Sequence, residues 1–113
     1  MTCYFPTTRR RRRTRTPLVI AVDPAARLLR PIGELDHATA PLLVDAVETL
    51  TERSPGELRI SLAGVRFLGA AGINVLVRIA NAQRETGQRT RIEDASERLA
   101  RILALGNAGW LLA

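Results

Sequence analysis

Apolar positions in this chain follow two periods, and the order of the periods sets the expected architecture. Leu18 to Val22 is a short apolar run of strand type, Asp23-Pro24-Ala25-Ala26 has turn composition, and Arg27 to Ile32 reads as a second strand, so these elements are expected to form a hairpin. Pro31 brings no N–H to a ladder and is expected where that donor would face no partner strand, or at a bulge. Gly33-Glu34-Leu35-Asp36 then leads into a helix, with Thr39 as N-cap and Pro41 in the first turn, where a missing N–H costs nothing. Leu42, Leu43, Ala46, Val47 and Leu50 form one apolar stripe along that helix, while Asp45, Glu48 and Glu52 lie toward solvent. Ser54-Pro55-Gly56 stops it.

The second half repeats the alternation of periods around one central stretch. Glu57 to Leu62 alternates polar and apolar residues as a strand does, and apolar, β-forming content continues through Val65 and Phe67 as part of a buried strand. The run breaks at Gly69-Ala70-Ala71-Gly72, after which Ile73, Leu76, Val77 and Ala80 return at helical spacing. Ser61 to Ile79 is therefore a strand, a small-residue turn and a helix start in sequence. Thr86-Gly87 is the stop, Arg89 to Ala95 is a further strand with Ile92 as its only large apolar side chain, and Ser96 caps a last helix with Leu99, Ile102 and Leu103 facing inward. Gly106-Asn107 suits a left-handed C-terminal turn, and Trp110-Leu111-Leu112 adds apolar bulk after it. The order β-β-α-β-α-β-α predicts an α/β domain: a small, mostly parallel, four-stranded sheet, antiparallel only at its first strand, with right-handed crossovers.

Composition narrows what such a domain can do. At 113 residues and 46% hydrophobic content there is room for one domain with a modest core. The net charge of +6 looks suited to nucleic acid until it is located: residues 1–16 hold six arginines and no acid, whereas residues 17–113 hold eleven of each. The expected organisation is a disordered arginine-rich tail over 1–16 and one neutral domain over 17–113. Arg9, Arg10, Arg11, Arg12, Arg13 and Arg15 are the residues through which nucleic acid could be contacted, although no aromatic side chains are interleaved among them. Every basic residue is arginine, which removes Schiff-base and phosphate-binding lysine chemistry. With one cysteine, Cys3, and one histidine, His37, neither a disulfide framework nor a cysteine metal site is expected, and no metal or cofactor is. The apolar run that follows the arginines stops at Asp23, short of the roughly 7–15 residues of an export core, and nothing approaches the roughly 20 of a membrane span. A soluble, cytoplasmic protein is the expectation.

Two stretches have the spacing of chemical sites. Gly64-x-x-x-x-Gly69 lies between strand and helix as a phosphate loop does, but the two positions that need Lys and Ser/Thr are Ala70 and Ala71. Gly69-x-x-Gly72 is too short for a dinucleotide fingerprint. Glu34, Asp36 and His37 form the one polar cluster of catalytic residue types. Asp36 is placed to cap or precede a helix and Glu34 alternates outward from a strand, so structural roles account for both, and the expectation is a protein that is not an enzyme.

The strings Gly33-Glu34-Leu35-Asp36-x-Ala38-Thr39-Ala40-Pro41 and Leu62-x-Gly64-Val65-x-Phe67-Leu68-x-x-x-Gly72-Ile73 together resemble the STAS domain family, whose best-known members are bacterial anti-sigma factor antagonists. The resemblance covers roughly residues 17–112. It implies a STAS fold, with the N-terminal hairpin edging the sheet and helices packed on one face, and a partner-switching role in transcription regulation. Against many family members the chain stops one helix short after Trp110, which would leave Trp110 and Leu111 partly exposed.

In those antagonists the second motif reads Asp-Ser-Ser/Thr-Gly where this chain has Gly69-Ala70-Ala71-Gly72, and an anti-sigma factor acting as a serine kinase phosphorylates the first Ser. Ala70 holds that position and has no hydroxyl. The resemblance thus implies a partner-binding surface made by Gly33, Glu34, Asp36 and Thr39, by the turn Gly69, Ala70, Ala71 and Gly72, and by Asn74 and Arg78, with a degenerate phosphorylation position at Ala70. A STAS subunit of a larger assembly, stressosome-like or in lipid transport, would fit the same residues, since neither needs the switch.

Overall fold

In the computed structural model, residues 18–53 and 55–112 are described. They form β1 (Val19–Asp23), β2 (Leu28–Leu35), α1 (Ala40–Arg53), β3 (Leu58–Ser61), β4 (Val65–Leu68), α2 (Ala70–Glu85), β5 (Thr90–Glu93), α3 (Glu97–Leu105) and a closing 3₁₀ turn (Gly109–Leu112). The arginine-rich tail expected over 1–16 lies outside the described residues, as do Cys3 and the helix-stop residue Ser54.

The strands are ordered β1-β2-β3-β5, and β4 also pairs with β2. β1 is antiparallel to β2, and every other pairing is parallel, as the helical connections require. The expected α/β class therefore holds, but the sheet has five strands rather than four. The extra one arises because the apolar run through Leu62 and Phe67 is not one strand. It jogs at Leu62 to Gly64: Leu62 N–H still donates to Glu93 O of β5, whereas Gly64 O already accepts from Gly33 N–H of β2.

β2 is also longer than expected, running through Pro31 and Gly33 to Leu35. Its odd residues aim their backbone groups away from β1, since Arg27 O accepts from Arg59 N–H and Gly33 N–H donates to Gly64 O. Pro31 falls between the last β3 pair, Leu29 with Ile60, and the first β4 pair, Gly33 with Val65. Its missing donor thus faces the jog and deprives no ladder. The register shifts between Gly33 and Glu34, and Gly33 takes φ +126°, a conformation open to glycine.

Alternation places Leu29, Leu35, Leu58, Ile60 and Ile92 on one face of the sheet, buried under the helices. α1 contributes Leu43, Val47 and Leu50, α2 contributes Val75, Leu76 and Ile79, and α3 contributes Leu99 and Leu103. Leu42, expected in the α1 stripe, is instead largely exposed, one position off the buried set. The opposite face of the sheet carries Arg30, Ile32, Arg59, Arg91 and Glu93. There Arg59 holds Glu93 in a two-pronged ion pair, Nε to Oε2 at 2.9 Å and Nη2 to Oε1 at 3.0 Å. That hydrogen bonding holds the Glu93 carboxyl below the usual carboxylate range.

The C-terminal elements largely follow the pattern. Ser96 Oγ accepts from Leu99 N–H at 3.1 Å, capping α3. Asn107 takes the left-handed conformation at φ +61°, with Gly106 at φ −89° before it. Leu111 is buried, not partly exposed, because the closing 3₁₀ turn folds back on α3 and β5. Trp110 remains half exposed, its ring 5.9 Å from the Arg84 guanidinium.

Candidate functional site

Two helices begin side by side where β2 and β4 end, and nearly all of the expected surface residues gather there. The first entrance, from β2 into α1, is stitched by side chains. Asp36 Oδ1 accepts from the N–H groups of Ala38 at 3.0 Å and Thr39 at 3.1 Å, and Asp36 O accepts from Ala40 N–H at 2.8 Å. The capping work expected of Thr39 is done by Asp36. Thr39 instead turns its hydroxyl back to the strand, donating to Glu34 O at 2.7 Å and accepting from Asp36 N–H at 3.0 Å, and it is buried. A buried hydroxyl that satisfies two backbone groups holds the loop rather than the helix end.

The second entrance, from β4 into α2, is bare. Gly69 is the N-cap, in extended conformation, and no side chain caps the helix. Gly69 N–H donates to Leu35 O at 3.1 Å, and Gly72 lies against the same carbonyl. A methyl at Gly72 would overlap Leu35 O and sit 2.9 Å from Leu68 Cδ1, so glycine here is what lets α2 approach the end of β2. Gly69 is under no such demand: its φ is −86°, and a Cβ there would meet only side-chain atoms, the edge of the Phe67 ring at 3.2 Å and Asp36 Cβ at 3.9 Å.

These contacts separate the expected residues into two groups. Gly33, Thr39 and Gly72 are buried, so they present no side chain to a partner and act by holding the surface from beneath. Ala70, Asn74 and Arg78 are exposed along α2, Ala71 and Gly69 are half-buried, and Asp36 is half-buried with its carboxylate already engaged. Between α1 and α2 a shallow groove is lined by His37, Ala40, Pro41, Ala71, Asn74 and Arg78. The groove brings the two sequence motifs onto one surface.

Phe67 was expected in the core, and the structure corrects this. It is 51% exposed, because the register of β4 against β2 shifts between Val65 and Phe67, leaving Val65 and Leu68 inward and Phe67 outward next to Gly69. An aromatic residue beside a bare helix N-terminus belongs to the surface set. Simple alternation would have put Phe67 on the buried face with Val65; the irregularity at Arg66 reverses it, and nothing in the local pattern signals that irregularity.

Among the described residues no group of three His, Cys, Asp or Glu side chains could hold a metal ion. Of the expected polar cluster, Asp36 accepts from the backbone amides of Ala38 and Thr39, and His37 lies exposed in the groove. No helix among the described residues is long and apolar enough to cross a membrane.

The model of the STAS domain family matches residues 17–109. This chain belongs to the STAS domain family. Among curated relatives of this STAS domain is an anti-sigma-B factor antagonist from Bacillus subtilis, 33% identical over 70 residues, which are 62% of this chain and 63% of the relative. The match thus spans less than two thirds of that protein. Among solved structures, the STAS domain is similar to the anti-sigma factor antagonist SpoIIAA in its unphosphorylated form, with a TM-score of 0.71 at 14% identity, covering 84% of this chain and 86% of that one. It is also similar to an antisigma-factor antagonist STAS domain from Rhodobacter sphaeroides, with a TM-score of 0.54 at 17% identity, covering 73% of this chain and 92% of that one. At those identities the two structures speak for the fold.

Proposed function

We propose that this STAS domain acts as an anti-sigma factor antagonist whose docking surface is intact and whose covalent off-switch is missing. Its partner is an anti-sigma factor of the serine-kinase type, bound through the exposed part of the second entrance: Phe67, the turn from Gly69 to Ala71, and Asn74 and Arg78 on α2. Glu34 and Asp36 support the adjoining loop.

One observation carries this reading. Ala70 is exposed at the first position of α2, where the helix N-terminus would favour an added anion and a seated partner would feel it, yet Ala70 offers no oxygen to phosphorylate. The neighbouring hydroxyls are poor substitutes. Ser61 is buried and donates to Asp94 Oδ2 at 2.8 Å, and Thr39 is buried and donates to Glu34 O. Binding is therefore controlled by abundance or by the partner's own state.

Titration calorimetry of the full chain against the anti-sigma factors of the same genome tests the reading. A saturable complex is expected with at least one, weakened at least tenfold by Ala70→Asp, which fixes a negative charge at the helix N-terminus. Absence of binding to all of them would sink the proposal. The alternative of a STAS subunit in a larger assembly also suits the missing hydroxyls at Ala70 and Ala71. It predicts that affinity purification recovers a multi-subunit complex with no anti-sigma factor in it.

A further inference from the structure

The strands at the two ends of the order β1-β2-β3-β5 are treated differently. β5 at one edge carries Arg91 and Glu93 among its four residues, and the closing 3₁₀ turn packs against it. β1 at the other edge reads Val-Ile-Ala-Val before Asp23, and among the described residues nothing pairs with its outer side. Val19 is 57% exposed and Val22 47%. Strand edges in proteins are ordinarily blunted by charges, proline or bulges, and an edge whose one charge, Asp23, stands at its end leaves an apolar stretch that is a template for another strand.

The register of the hairpin defines what that template offers. The odd residues of β2 point toward β3 and β4, so its even residues Leu28, Arg30 and Ile32 bond Asp23, Ala21 and Val19. Ile20 and Val22 therefore turn their N–H and C=O groups to the open edge. These two residues lie symmetrically about Ala21. An antiparallel copy of β1 related by a two-fold axis at Ala21 would set Ile20 opposite Val22 and Val22 opposite Ile20, and each pair would exchange both of its backbone hydrogen bonds. Every outward group of Ile20 and Val22 is then satisfied.

α1 carries a matching symmetry beside the same edge. Asp45, Thr49 and Arg53 follow one another at four-residue spacing, all exposed, and line a groove with Val22. Since α1 follows β2 and β2 is antiparallel to β1, α1 runs in the same sense as β1. The same two-fold turns the stripe of one copy antiparallel to that of the other, the arrangement in which an Asp45 can face an Arg53. A strand and a helix stripe that are self-complementary under the same axis favour a second copy of this chain over an unrelated extended peptide.

We propose that this chain forms an isologous dimer through antiparallel pairing of β1 with β1, closed by reciprocal Asp45–Arg53 ion pairs between the two α1 helices. The interface is small, so the dimer is concentration-dependent. Sedimentation equilibrium of the full chain, loaded from low to high concentration, reads it directly as a rise from the monomer to the dimer mass. Val22→Pro removes an outward N–H without touching the β1–β2 ladder, and is expected to return the chain to monomer with unchanged circular dichroism. Asp45→Arg and Arg53→Asp are each expected to weaken association at least fivefold, and the double variant Asp45→Arg with Arg53→Asp to restore it. A chain that stays monomeric to its solubility limit overturns the proposal. So does a dimer indifferent to Val22→Pro, a double reversal that fails to rescue, or an edge that takes up an apolar extended peptide while the protein does not self-associate.

Discussion

The two helix entrances at the end of the sheet sit side by side and solve the same problem in opposite ways. At α1, Asp36 and Thr39 satisfy the loop and helix amides with side-chain oxygens, and both are committed to that task. At α2, Gly69 and Ala70 supply no side-chain oxygen at all. The first entrance is a fixed scaffold. The second is held by backbone alone, through Leu35 O and the close approach at Gly72, and no side-chain oxygen covers its start. Where a helix end is saturated by its own side chains it has little left to offer a partner, and where it is bare its dipole and amides stay available.

This contrast can be broken most severely at Gly72. Gly72→Val would drive a branched side chain into Leu35 O and Leu68, and is expected to cost about 3 kcal/mol or more in urea unfolding. A loss below about 1 kcal/mol would mean that α2 does not need this approach. The stitched entrance should answer to its hydroxyl: Thr39→Val removes its hydrogen bonds to Glu34 O and from Asp36 N–H and is expected to lose about 2 kcal/mol, with Thr39→Ser recovering most of it. Equal damage from Val and Ser would point to the Thr39 methyl instead. Gly69→Asp supplies the missing cap at α2 and is expected to raise stability by a few tenths of a kcal/mol, seen as a small rise in Tm. A fall in Tm would show that the Phe67 edge cannot give way.

The smallest expected effect lies away from both entrances and serves as their control. The Glu93 carboxyl is held low by its hydrogen bonds from Arg59. Its contribution to stability is present above the unfolded carboxylate range near pH 4 and is lost as pH falls through the depressed folded value. Glu93→Gln should flatten that part of the stability profile and leave the response to Thr39→Val unchanged. A profile identical to the wild type's would show that the pair adds nothing.

Much of this arrangement was legible in the residues. The hairpin, the three helices, the Ser96 cap and the Asn107 turn each have a local cause that one stretch of chain carries by itself. What escaped local reading depends on partners distant in sequence. The jog at Leu62 to Gly64 exists because β3 lies between β2 and β5 while β4 reaches only the end of β2, and no periodicity within the run encodes that. The outward turn of Phe67 follows from the further register shift against β2 between Val65 and Phe67. The cap at α1, by contrast, is local: Asp36, which its type and place suit to cap or precede the helix, accepts from the Ala38 and Thr39 amides in place of the cap expected of Thr39. The residues of the two motifs do share one surface, but which of them face solvent was settled by packing: Gly33, Thr39 and Gly72 went inside.

The central claim is that the bare entrance binds an anti-sigma factor and cannot be phosphorylated. A native mass spectrum of the full chain mixed with the anti-sigma kinases of its own genome and ATP reads both halves at once. The account predicts a complex in which this chain keeps its unmodified mass. A chain that gains a phosphate at the turn, or one that forms no complex with any of them, would contradict it.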